Sequence, residues 1–200
     1  NMFVRIGDGS LGGKGRGLAF MNSLFTRYRV DEHIPGVSIT VPPTAIVATG
    51  IFDAFMENAG LTQLALQARD DRIIADAFLA ARFPDDAVRD LMAFLQDVRF
   101  PLAVRSSSLL EDASGQPFAG VYRTYMIPNN DENIEVRLWE LLTAIKLVYA
   151  STFYEDAKAY IDSTPNRLEE EKMAIVIQQV VGKQHGELVY PNFAGNARSR

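Results

Sequence analysis

Hydrophobic and polar positions follow two periods along this chain, and the switches between them outline its elements. Residues 3–6 form a short apolar entry, and from Leu18 the spacing Leu18, Met21, Phe25, Tyr28 predicts a helix with one apolar stripe. Val37, Ile39 and Val41 alternate as in a half-buried strand, Pro42-Pro43 breaks it, and Ala45, Ile46 and Val47 resume an apolar run. Thr49 is the expected cap of a helix carrying Ile51, Phe52, Phe55 and Met56, ending near Asn58 and Gly60. Helical patterns cover residues 61–68 and 71–83. Pro84 then suits a first helical turn, and Val88, Leu91, Met92 and Leu95 follow at i, i+3, i+4 and i+7.

Two further apolar runs, 102–104 and 121–127, read as strands on either side of a hydrophilic stretch. Asp131 is the expected cap of a long helix with the stripe Ile134, Leu138, Leu141, Ile145, Val148 and with Trp139 beside it, extended or restarted by Phe153, Ala157 and Tyr160. Thr164-Pro165-Asn166 stops it. Residues 173–181, MAIVIQQVV, predict a continuous buried strand ending in polar residues, and 186–190 a further short one. Strands and helices intersperse without a regular βαβ beat, so the expected fold class is α+β.

The 200 residues are 48% hydrophobic and 22% charged, enough for a real core in one domain or in two small lobes. A formal net charge of −5 argues against a nucleic-acid binder, leaving basic residues to act singly. With no cysteine, disulfides, thiolate metal sites and a thiol nucleophile are excluded. His33 and His185 are too few and isolated for a histidine-rich metal site or a Ser/His/Asp triad. No apolar run approaches the ~20 residues of a membrane span, and Arg5, Asp8, Lys14 and Arg16 interrupt the N-terminus, so we expect a soluble, cytoplasmic protein without a signal peptide.

Chemistry concentrates in two places. Residues 7–17, GDGSLGGKGRG, hold six of the 14 glycines. Exposed backbone N–H groups at a helix N-terminus, with Lys14 as a mobile ammonium, suit a polyphosphate; the alternative is a flexible loop with an incidental lysine. The spacing is not a Walker A loop, which needs Ser or Thr after the lysine where this chain has Gly15. Gly7, Gly9 and Gly12 satisfy G-x-G-x-x-G and Asp31 stands where a ribose acid would. The segment before Asp31, however, is not the buried strand a dinucleotide fold requires.

The second place is 101–125, PLAVRSSSLLEDASGQPFAGVYRTY. Arg105 supplies a rigid bidentate fork, Ser106, Ser107 and Ser108 supply hydroxyls, and Gly115 and Gly120 free the backbone. From the residues alone, an anion cradle and a solvated hairpin loop stay equally open, as does an ion pair of Arg105 with Glu111 or Asp112. Those two acids are candidates to help ligate a cation or simply to be solvated. Gln178 and Gln179 end an apolar strand and suit a nucleobase edge covered by neighbouring valines.

Taken in order, LGGKGRGLAFM at 11–21, VPPTAIVATGIFDAFMENAGL at 41–61, PLAVRSSSLLED at 101–112, FAGVYRTYM at 118–126 and MAIVIQQVV at 173–181 resemble the N-terminal nucleotide-binding domain of phosphoenolpyruvate synthase and pyruvate phosphate dikinase. The resemblance implies an ATP-grasp-like domain that clamps Mg-ATP between lobes and passes phosphate to a histidine on a separate domain, and then to pyruvate bound by a third. It implies that Lys14 and Arg105 contact the phosphates, as catalytic and ATP-binding residues. Gly120 and Thr124 would lie near those phosphates, with Gln178 and Val180 at the adenine-side hinge. Arg16, Gly17 and Pro117 depart from the family's usual Ala, Asn and Ser.

No metal ligand is assigned within the chain. The expected cofactors are ATP and Mg2+, with the metal carboxylates beyond Arg200. Residues 1–200 are accordingly expected to be the N-terminal part of such a domain, truncated at the C-terminus, without the phosphohistidine and pyruvate domains and inactive alone. The expected partners are ATP and, through the missing domains, pyruvate or phosphoenolpyruvate. A non-catalytic nucleotide-sensing module and a dikinase-like phosphotransferase with another acceptor remain as alternatives.

Overall fold

The order of elements places most of the chain's helices on one side of a single mixed sheet. The structure, a computed structural model, describes residues 2–29, 35–108, 120–165 and 167–196. Strand β1 (Phe3–Ile6) leads into α1 (Gly12–Tyr28), then β2 (Thr44–Val47), α2 (Thr49–Asn58), α3 (Thr62–Gln67), α4 (Asp71–Ala80) and α5 (Asp85–Asp97). After β3 (Leu102–Ser107) and β4 (Thr124–Ile127) come α6 (Ile134–Ser151), α7 (Glu155–Asp162), a 3-10 turn (Leu168–Glu170), β5 (Ala174–Gln179) and a small hairpin, β6 (Lys183–His185) with β7 (Leu188–Tyr190). The five-stranded sheet has the order β1-β2-β5-β3-β4; β1 and β2 run parallel and the other neighbours antiparallel. The result is the mixed α+β class the patterning predicts.

Register divides the sheet into two chemically different faces. Directly paired residues share a face and successive residues alternate. Ile6, Ala45, Val47, Leu102, Val104, Ile175 and Ile177 therefore point the same way, and all join the main core with α2, α4, α5 and α6. Phe55 anchors that core, with ring centroids 5.5–5.8 Å from Phe78, Phe83 and Tyr149. The opposite face carries Arg5, Thr44, Gln178, Arg105, Ser107 and Thr124. Ile46 and Val176, also on this face, are buried outside the main core, beneath α1, which packs on β5 and β3.

The helix stripes follow burial closely. In α5 the buried set is Ala87, Leu91, Phe94 and Leu95, with Val88 and Met92 at its margin, and in α6 Leu138, Leu141, Ile145 and Val148 are buried while Trp139 is exposed. The last carbonyls of α5 are taken up by a buried cation: Arg137 Nη1 on α6 donates to Leu95 O and Val98 O, both at 3.0 Å. A guanidinium at a helix C-terminus satisfies orphan acceptors and matches the dipole.

Several local expectations change. Residues 37–41 form no strand: Pro42 and Pro43 lack the N–H groups a strand would donate, and pairing with β1 begins only at Thr44, whose N–H donates to Met2 O. Helix α1 begins at Gly12, six residues before its apolar stripe, so most of the glycine segment is helix. Thr49 is the first residue of α2 rather than its cap, and Asn133, not Asp131, caps α6 by accepting from Glu135 N–H at 2.9 Å. The serine run belongs to a strand and its end, with Ser106, Ser107 and Ser108 all buried. The run at 121–127 pairs as β4 only from Thr124.

Candidate functional site

The polar face of the sheet carries three of the sequence-predicted residues, Arg105, Thr124 and Gln178. Arg105 lies in β3, paired with Thr124 of β4 on one side and Val176 of β5 on the other. Gln178 is paired with Ala103, two positions along β3 from Arg105, and with Thr44 of β2, to whose Oγ1 its Nε2 donates at 3.0 Å. That bond fixes the amide's orientation and leaves its carbonyl oxygen as an acceptor for an amino group. Val180, just past β5, donates its N–H to Pro101 O at 2.9 Å. Thr124 is exposed, and so is Gly120, whose φ of +86° and open surroundings mark a turn.

Lys14 is brought to this face by α1, whose first turn is docked on the end of β3. Gly13 N–H donates to Ser108 O at 3.0 Å, Gly15 N–H to Ser107 Oγ at 2.9 Å, and Ser107 Oγ donates to Leu11 O at 2.8 Å. Gly12 N–H donates to Ser10 Oγ at 3.1 Å. Three donors of the first turn thus have partners within the chain. This differs from the expectation of an exposed N–H nest: here the glycines allow a close approach, and the helical part of the segment carries two cations, Lys14 and Arg16. At Gly12, with φ +68°, an added Cβ would lie 1.7 Å from Ser107 O, closer than any side chain permits.

The loop between β1 and α1 is latched to the start of α2. Thr49 Oγ1 accepts from Ser10 N–H and Thr49 N–H donates to Ser10 O, both at 2.9 Å, while Gly50 N–H donates to Asp8 O at 2.8 Å. Arg5 braces the same loop from β1, with Nε 3.0 Å from Gly7 O and Nη2 3.2 Å from Gly9 O. Thr49 and Arg5 are not legible from sequence as parts of a site, and Ser107, expected to offer its hydroxyl to an anion, instead commits it to the first turn of α1. The period-two alternation Ala103, Arg105, Ser107 places Ser107 on Arg105's face, but its helix partners lie more than 90 residues away along the chain.

Glu111, Asp112, Gly115 and Pro117, together with Asp31 and His33, lie outside the described residues. Among the described residues no group of three or more His, Cys, Asp or Glu is placed to hold a metal ion. The strongly shifted phenols lie behind the sheet: burial raises Tyr149, and burial with nearby Tyr125 and Asp71 raises Tyr154 to about 12 against an opposing pull from Arg123. No helix among the described residues is long and apolar enough to cross a membrane.

Comparison with known proteins meets this geometry. The chain is 26% identical over 155 residues to a protein of Bacillus subtilis (strain 168) named as an uncharacterized phosphotransferase, YvkC, a match spanning 76% of this chain but 17% of that relative's length. Residues 8–200, which include the glycine segment, Arg105 and Gln178, match the family model described as the pyruvate phosphate dikinase AMP/ATP-binding domain. The chain belongs to that family.

Proposed function

We propose that this chain is the nucleotide-binding part of a phosphoenolpyruvate synthase-like phosphotransferase, with an ATP-grasp-like fold, which holds ATP while phosphate passes to a histidine on another domain and then to pyruvate. The observation that carries the reading is the docking of α1 on β3, which puts the segments bearing Lys14 and Arg105 side by side on the sheet's polar face. Family membership supplies the nucleotide. The Bacillus relative's name supports phosphotransfer without naming an acceptor.

In this reading Lys14 acts as a mobile point charge on the polyphosphate and Arg105 as a rigid fork on the transferring group. Phosphoryl transfer asks a protein mainly to position the phosphates and neutralise their charge, which two cations on separate, mutually anchored elements achieve. Gly120 and Thr124 border the phosphates. Gln178 offers its amide carbonyl to the adenine amino group, with the Val180 carbonyl as a second acceptor. The described residues do not form a metal site; Mg2+ enters with the nucleotide in this reading, and no step is assigned to it.

The test is transfer of labelled phosphate from ATP to the intact protein. Wild type is expected to form acid-labile, base-stable phosphohistidine, and Arg105→Ala to reduce its rate at least about 100-fold with the fold preserved, as removal of a transition-state charge partner does. Unchanged phosphohistidine formation in that variant would remove Arg105 from its role.

A further inference from the structure

The hydroxyl of Ser107 sits across the first turn of α1. In an α-helix the carbonyl of residue i receives the N–H of residue i+4, so Leu11 C=O and Gly15 N–H are the two ends of the opening hydrogen bond. Ser107 Oγ engages both, accepting from Gly15 N–H at 2.9 Å and donating to Leu11 O at 2.8 Å. One residue further on, Ser108 O accepts from Gly13 N–H at 3.0 Å. The residues on either side of Lys14 are therefore both tied to the end of β3, at its last residue, Ser107, and at Ser108 just past it. Ser107 is fully buried, and it lies two positions from Arg105 on the same face, about 6.6 Å along the strand.

We propose that Ser107 is a positioning residue that sets the spacing between Lys14 and Arg105, and thereby the fit of the polyphosphate between them; the proposal rests on the reading of those two cations as phosphate contacts. A serine is suited to the role because one hydroxyl donates and accepts at once, whereas an alanine here leaves Gly15 N–H and Leu11 O with only each other and lets the helix start move relative to the strand. The close packing of Gly12 on Ser107 O gives the hydroxyl its leverage, since little slack separates the two backbones.

The test is a double-mutant cycle on the intact protein, with ATP and adenosine affinities measured for wild type, Ser107→Ala, Lys14→Ala and the double variant, and thermal unfolding recorded for each. Ser107→Ala is expected to weaken ATP about tenfold and to leave adenosine within about twofold, because only the polyphosphate contact is displaced. In the Lys14→Ala background the same change is expected to cost ATP affinity less than about twofold. Ser107→Cys, close in shape but a weaker donor and acceptor, is expected to fall between wild type and Ser107→Ala, and it carries the comparison if the alanine variant does not fold. Equal losses of ATP and adenosine affinity, or fully multiplicative effects in the double variant, would overturn the positioning role while leaving the phosphate reading in place. An unchanged ATP affinity in Lys14→Ala alone would overturn both.

Discussion

Gly12 is the residue on which the geometry of the site turns. Its positive φ and the 1.7 Å separation between a built Cβ and Ser107 O mean that any side chain there pushes α1 off β3. Gly12→Ala is expected to destabilise the domain by about 1–2 kcal/mol from the left-handed backbone alone, and to weaken ATP binding along with it; urea unfolding measures the first and calorimetry the second. A variant as stable as wild type would mean that the helix start is not seated as described. At this scale the sequence was legible where residue chemistry is local. A lysine among glycines and an arginine after an apolar run stand out unaided. Ser107 stands out only as one of three hydroxyls beside Arg105, and its hold on α1 does not, because a serine's role depends on what meets its hydroxyl, and here that is a helix more than 90 residues earlier.

At the scale of elements, α1 shows why boundaries were harder to read than existence. Its apolar stripe begins at Leu18, but the helix begins at Gly12, since anchoring of its first turn by Ser107 and Ser108 outweighs the glycines' poor helix propensity. Not every glycine there is needed. Gly17 lies within the helix, and a Cβ built on it meets nothing within 4 Å. Gly17→Ala is therefore expected to stabilise the domain by about 0.5–1 kcal/mol, raising its calorimetric unfolding temperature by about 1–4 °C without changing ATP affinity; a lowered temperature would contradict an open surface at that position. The strand expected at 37–41 failed for a related reason: alternation signals a half-buried strand only where a neighbour is available to pair, and β1 offers pairing only from Thr44 onward. Helices α5 and α6 were readable because burial against one core imposes a single stripe on each.

The whole molecule is organised by its two-faced sheet. The apolar face, with its run of Val, Ile and Leu, was visible in the patterning as a core, and the mixed class followed. The face carrying Arg105 and Gln178 was not, since it exists only once β5 is inserted between β2 and β3, a strand order no local pattern encodes. The core side makes a prediction of its own. Tyr154 titrates near 12 rather than 10, mainly because burial disfavours the phenolate. The fold therefore favours the protonated phenol: its contribution is fully present below pH 10 and is lost as pH rises through about 12. Urea midpoints between pH 9 and 12 are expected to fall less steeply in Tyr154→Phe than in wild type, and parallel curves would dissociate Tyr154 from the alkaline transition.

The central claim is that the polar face grips a polyphosphate through cations carried by α1 and β3. Calorimetric titration of the intact protein with ATP and, separately, with adenosine tests it most directly, comparing wild type with Arg105→Ala. Arg105→Ala is expected to lose at least about tenfold in ATP affinity, the worth of a charge-assisted contact, with adenosine affinity held within about twofold. An ATP affinity equal to that of wild type, or a loss shared in full by adenosine, would contradict it.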